Sequence, residues 1–182
     1  MKYSFQEHMP DVHDSAYMAP TAVVIGRVKM GENSSIWFNS IARGDINTVT
    51  IGSNTNIQDL CTLHVTHENG VAVGDRVTIG HGAVLHGCKV EDDCLIGMGS
   101  VVLDGASIGK GSIVAAGAVV APNTVIPPDS LVMGVPGRVM RRLHEREQQN
   151  FAKNWQGYVQ YSKKYADPNI FKLLEPAGVA AE

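Results

Sequence analysis

Aromatic and charged residues are both scarce: 6% of the 182 residues are Phe, Trp or Tyr, and 18% are Asp, Glu, Lys or Arg. The net charge is −3 and the pI about 6.1, which argues against bulk attraction to nucleic acid. Only three cysteines occur, Cys61, Cys88 and Cys94, an odd and sparse set that argues against a disulfide framework. No apolar run approaches the roughly 18 residues needed to span a bilayer. The opening segment MKYSFQEHMPDVHD lacks the apolar stretch of a secretory signal. A soluble cytoplasmic protein without a membrane partner is the expectation. The length suits one domain with a modest appendage. Nineteen glycines beside so few aromatics point to a repeat.

The repeat has a period of six. Aliphatic leaders fall at Met18, Val24, Met30 and Ile36, then Ile51 and Ile57, then Val73 and Ile79, and then every six residues from Val90 to Ile126. Four positions after each leader up to Val120 stands Ser, Thr, Ala, Val or Cys, from Ala22 through Ser40, Cys61 and Cys94 to Thr124. Six matches neither the 3.6 period of an α-helix nor a plain alternating strand. It fits a coil of three short strands with tight corners, stacked in layers, with leader and small residue both pointing into a narrow interior. Gly and Asn supply the corners, and stacked coils bury a core that no single coil has.

The pattern resembles the hexapeptide-repeat, left-handed parallel β-helix superfamily. The handedness comes from that resemblance, because generic parallel crossovers are right-handed. The expected fold is all-β: an N-terminal cap over 1–17, a β-helix over 18–137 with about six coils of eighteen residues between 18 and 131, a C-terminal α-helix over 138–166 packed along it, and a tail over 167–182 draped on the surface. Met140, Leu143, Phe151, Trp155, Tyr158 and Tyr165 form the expected apolar stripe of that helix. Residues 138–164 hold seven of the fifteen Lys/Arg and two of the eighteen Asp/Glu. Those charges read as a solvated outer helix face, with no nucleic-acid partner.

A regular coil turns spacing into position. His64 follows the leader-like Leu63, and His86 follows Leu85, 22 residues on. The segment THENGVA, residues 66–72, carries four residues too many and reads as an outward bulge. Without those four, the two histidines lie one coil apart on the same face, at about the 4.8 Å spacing of adjacent strands. His81 follows its leader Ile79 by two places and falls on a neighbouring face, so it reaches the pair only from a second chain. Cyclic symmetry would then repeat a three-histidine site at every subunit interface. Three neutral imidazoles with an open fourth position suit zinc, and iron or cobalt accept the same ligands. The cysteines read as structural. Arg43-Gly44-Asp45 and Gln58-Asp59 stand nearby as candidate positioning groups.

Arg43-Gly44-Asp45, Asn56-Ile57-Gln58-Asp59, Leu63-His64, Ile79-Gly80-His81 and Leu85-His86-Gly87-Cys88 resemble, in order and spacing, the γ-class carbonic anhydrases. That resemblance implies a homotrimer with His64 and His86 from one chain and His81 from the next around each metal. It implies CO2 and bicarbonate as substrate and product, with a metal-bound hydroxide as nucleophile at neutral pH. It assigns Gln58 to the metal-bound water, Arg43, Asp45 and Asp59 to a polar network between subunits, and Tyr158 to the substrate side. The sequence departs from the best-known member by having Ile46 after Asp45 and only a short loop, His67-Glu68-Asn69-Gly70, where that member carries a longer acidic one. His67 and Glu68 are the candidate proton relays. Three other readings compete. An acyl-coenzyme A transferase is suggested by Gly134-Val135-Pro136-Gly137-Arg138, a metal-dependent thioesterase would use the same metal chemistry, and a trimeric scaffold would retain the metal as structure.

Overall fold

The computed structural model describes residues 1–173, apart from the side chains at 148 and 150–152. Phe151 of the expected helix stripe and residues 174–182 of the expected tail lie outside the described residues. The fold is a left-handed parallel β-helix of hexapeptide repeats with about seven turns, followed by one α-helix. Its coils build a three-faced prism. One face stacks Thr62–His64, Val84–His86, Val101–Val102 and Val119–Val120 in parallel. A second stacks Val71–Val73, Lys89–Val90, Ser107–Ile108 and Val125–Ile126. The third climbs from Tyr17–Met18 through Ser35–Ile36, Asn56–Ile57, Thr78–Ile79, Leu95–Ile96 and Ile113–Val114 to Ser130–Met133. Two longer strands, Val23–Met30 and Ile41–Ile51, run unbroken across the corner between the first two faces. Residues 1–17, set apart on sequence as a cap, pair Lys2 with Val24 and Asp11 with Lys29, and so extend the same sheet.

The repeat explains the core. Every leader from Val24 to Ile126 is buried, as is every small residue from Ala22 to Ala118; only Met18 and Thr124, at the two ends, are half-buried. Inward hydroxyls donate to backbone carbonyls, as Ser34 does to Gly31 and Ser100 to Gly97, both at 2.7 Å. Burial of a hydroxyl without such a partner would cost free energy.

Corners follow a finer rule than the sequence suggested. Left-handed backbone falls three residues after the leader, at Asp93, Gly99, Gly105, Gly111, Gly117, Asn123 and Asp129, with φ between 57° and 70°. Gly, Asn and Asp tolerate that region best. The glycine directly after a leader serves a different purpose: a Cβ on Gly97 would lie 2.4 Å from the Ala116 nitrogen of the next coil.

The C-terminal helix begins later than the sequence suggested. Arg138–Arg142 form a strand antiparallel to Ser130–Met133, closing the last edge of the third face, and the α-helix spans Glu145–Ala166. Unpaired edge N–H and C=O groups at the end of a β-helix need covering, and this strand covers them. Met140, placed in the helix stripe on sequence, is therefore an exposed strand residue, whereas Leu143 is buried just before the helix. Glu147 accepts the His144 backbone N–H at 2.9 Å and pairs with Arg141 through both oxygens at 2.8 Å, fixing the helix start. The helix then packs back along the third face, where Tyr158 and Tyr165 meet Trp37 edge-on at centroid distances of 5.4 and 5.0 Å.

Candidate metal centre

Strand alternation decides what faces outward. Leu63 and Leu85 point into the prism and are fully buried, so His64 and His86 point out of the first face. Register places Arg43, His64 and His86 side by side on consecutive strands. The bulge that keeps this register is a compact turn, with the Thr66 N–H on the Asn69 carbonyl at 2.9 Å and the Asn69 N–H on Thr66 Oγ1 at 2.8 Å.

The two imidazoles face one another, with His64 Nδ1 and His86 Nε2 3.0 Å apart. Each ring is held from behind by a carboxylate. His64 Nε2 lies 3.2 Å from Asp45 Oδ1, and His86 Nδ1 lies 2.5 Å from Asp104 Oδ1. Asp45 is in turn ion-paired to Arg43 and accepts the Ile46 N–H at 3.0 Å. Burial alone would raise the Asp45 pKa, but hydrogen bonds from Arg43, His64 and Ile46 outweigh it and hold the carboxyl below its ordinary value.

This arrangement has a consequence for ligation. A carboxylate accepts hydrogen bonds only, so it draws the ring proton of each neutral histidine to its own side. The remaining nitrogens, His64 Nδ1 and His86 Nε2, then present lone pairs to each other. Two lone pairs at 3.0 Å call for a cation or a proton between them. A tetrahedral ion with bonds of about 2.0–2.1 Å separates two nitrogens by about 3.3 Å, within a few tenths of the observed gap. The donor set therefore fits a metal, with the carboxylate behind each imidazole that histidine-bound metals usually have.

The other predicted residues gather elsewhere. His81 lies after strand Thr78–Ile79 on the third face, with Nδ1 2.9 Å from Asp59 Oδ2 and its backbone N–H on Gln58 Oε1 at 3.2 Å. Gln58 is buried, and its amide nitrogen also reaches Asn56 Oδ1 at 3.4 Å. Asp59 is further fixed by the Phe38 N–H at 3.2 Å. Tyr158 from the helix lines, with Gln58, His81 and Met98, an open cleft of about 420 Å³. Burial first, and then the charge of Asp59, pushes its phenol pKa up. His67 and Glu68 are exposed in the bulge, and among the described residues neither side chain has a partner. No group of three or more His, Cys, Asp or Glu able to hold a metal occurs within one chain among the described residues. The cysteines are free and buried. Burial pushes the Cys61 thiol up to about 11 and those of Cys88 and Cys94 up to about 12, far from thiolate at neutral pH.

Asp104 is the site residue that sequence reasoning missed. It stands eighteen residues after His86, one nominal coil, but the register pairs Leu85 with Val102, seventeen residues on, so Asp104 falls one place beyond the strand position opposite His86.

Fold and repeat define a hexapeptide-repeat β-helix protein, and residues 87–122 match the family model described as bacterial transferase hexapeptide (six repeats). The chain is 50% identical over 146 residues to a Methanocaldococcus jannaschii protein named "Probable carbonic anhydrase", covering 80% of this chain and 92% of that one. It is 45% identical over 170 residues to the mitochondrial gamma carbonic anhydrase 1 of Arabidopsis thaliana, covering 90% of this chain and 62% of that longer protein. A solved Bacillus cereus structure, described provisionally as an acetyltransferase, superposes with a TM-score of 0.90 at 40% identity, covering 91% of this chain and 96% of that one. The chain belongs to the γ-class carbonic anhydrase family. Among the described residues no helix is long and apolar enough to cross a membrane.

Proposed function

We propose that the chain forms a homotrimer and catalyses the reversible hydration of CO2 to bicarbonate and a proton at metal centres shared between subunits. The observation that carries this reading is the pair of imidazoles whose free nitrogens converge at 3.0 Å, each backed by a carboxylate. His64 and His86 would hold the ion from one chain, and His81 of the adjoining chain would complete the set. His81 sits on a different face of its own chain, beside a surface with exposed Met98 and half-buried Leu95 and Ile113, which suits a subunit contact. Zinc, iron and cobalt all accept three imidazoles. When bound, such an ion lowers the pKa of water towards neutrality and so supplies hydroxide at neutral pH.

The chain's own residues do the rest. Asp45, anchored by Arg43, keeps the His64 ring turned towards His86. Asp59 holds the His81 ring by Nδ1, leaving Nε2 to the partner chain. Gln58 presents a buried amide beside His81, where its second N–H can orient the attacking water. Tyr158 keeps its proton and closes the apolar side of the cleft, which takes uncharged CO2 more readily than bicarbonate. His67 and Glu68, on the exposed bulge three and four residues beyond His64, receive the released proton and pass it to solvent. Free buried thiols suit a reducing compartment such as the cytoplasm.

The test is metal content of anaerobically purified, tag-free protein, followed by stopped-flow CO2 hydration. The expected result is about one ion per chain, with His64→Ala, His81→Ala and His86→Ala each losing both metal and activity. A folded trimer that holds no metal and resists reconstitution overturns the reading. Saturable coenzyme A binding by that protein would then favour acyl transfer, the activity that the Bacillus cereus structure carries in its description.

A further inference from the structure

We propose that Asp104 is a positioning residue of the metal centre: its carboxylate holds the His86 ring with Nδ1–H turned outward, so that the Nε2 lone pair faces His64. The inference rests on the metal reading above and adds to it a residue outside the motifs that define the site. Asp104 Oδ1 lies 2.5 Å from His86 Nδ1, while His86 Nε2 lies 3.0 Å from His64 Nδ1, so the His86 ring bridges Asp104 and His64 through its two nitrogens. The same sequence of groups occurs on the other side, where Asp45 backs His64. Carboxylate, imidazole, imidazole and carboxylate thus form one row across four successive coils, with the cation position at its centre.

The two carboxylates are not equivalent. Asp45 is only 14% exposed and tied by Arg43, whereas the Asp104 side chain is 44% exposed and has His86 as its one side-chain partner among the described residues. Its backbone carbonyl accepts the Asn123 N–H at 2.8 Å, a contact that any residue at 104 keeps. Removing the carboxylate therefore leaves the coil intact and frees the His86 ring to rotate or to move its proton to Nε2. Either change removes a lone pair from the site.

The experiment compares wild type, Asp104→Ala and Asp104→Asn as trimers, with zinc and cobalt affinity measured by competition against a chromophoric chelator. Outer partners of metal-bound histidines affect affinity by about 10–100-fold, so Asp104→Ala should weaken binding within that range. Asp104→Asn, which keeps an acceptor oxygen but no charge, should fall between it and wild type. The cobalt visible spectrum should change in Asp104→Ala, while the unfolding midpoint of the metal-free protein stays at the wild-type value. Unchanged affinity and spectrum in both variants, with wild type binding one ion per chain, overturn the role of Asp104 and leave the metal reading standing. A wild type that binds neither ion overturns both. If Asp104→Ala does not fold, the isosteric Asp104→Asn decides alone: wild-type affinity in it, with a wild-type cobalt spectrum, overturns the proposal.

Discussion

The proposed site, assembled from two chains, can be taken apart and put back together. His81→Ala keeps the His64/His86 pair but cannot complete its neighbour's site. His64→Ala keeps His81 but lacks the pair. Each variant alone should therefore form trimers with no complete centre. If the two are co-expressed in equal amounts, a centre is complete wherever an intact pair on one chain faces an intact His81 on the next. With random mixing, each of those conditions holds half the time, so about a quarter of the interfaces regain a full ligand set. Chelator-resistant metal per chain and kcat/KM per chain should both return to about one quarter of wild type, with native mass spectrometry confirming the mixed trimers. The magnitude follows from where the structure puts the residues. His64 and His86 share a register pair on one face, whereas His81 is held by Asp59 on another. Verified mixed trimers that bind no more metal than their parents would refute an interfacial site.

Three further outcomes probe the scaffold. Leu85 is fully buried and directly precedes His86, so Leu85→Ala should cost about 2–5 kcal/mol in denaturant unfolding; a loss under 1 kcal/mol would show that the interior is loosely packed. Gly97→Ala should destabilise by about 1–3 kcal/mol because its Cβ meets next-coil backbone. Gly99→Asn, at a left-handed corner with open space around it, should cost a fraction of that; equal losses would contradict the assignment of the two glycine roles. The buried thiols should not react with a disulfide reagent in folded protein at pH 8. Their folded pKa values are raised to about 11 and about 12, so the stability they contribute is full below the ordinary thiol value and is lost as pH rises through those values. The urea midpoint should therefore fall between pH 8 and pH 10.5, and a flat profile would contradict it.

What could be read from the sequence follows from how strictly a β-helix ties position to spacing. Leaders and small residues had to point inward because the prism has no room for anything else, so the fold and the stacking of His64 on His86 were legible from arithmetic once the four-residue bulge was removed. The onset of the C-terminal helix was not legible. Arg138–Arg142 have the composition of a helix turn, and only the open edge of Ser130–Met133 makes them a strand. That choice is tertiary, and local propensity does not contain it. Asp104 escaped for a related reason: the short hexad between Leu85 and Val90 shifts the register, so the residue nominally one coil above His86 is displaced from its strand partner.

The same geometry explains why one chain is incomplete. His64 and His86 follow their leaders by one place and stand upright on a face, while His81 follows its leader by two and turns into the approach to a corner. In a three-faced prism these directions diverge, and among the described residues no group of three metal-capable side chains forms within one chain. On the proposed interfacial reading, convergence would require another prism beside the first, and each carboxylate behind an imidazole would fix a ring for that meeting before it occurs. Asp45, Asp59 and Asp104 each hold one histidine by one nitrogen. The ordering cost of three imidazoles is thereby met largely during folding of the single chain. In the proposed trimer, subunit association would then have only to bring rigid halves together, which is the condition under which a site shared between chains can bind an ion tightly.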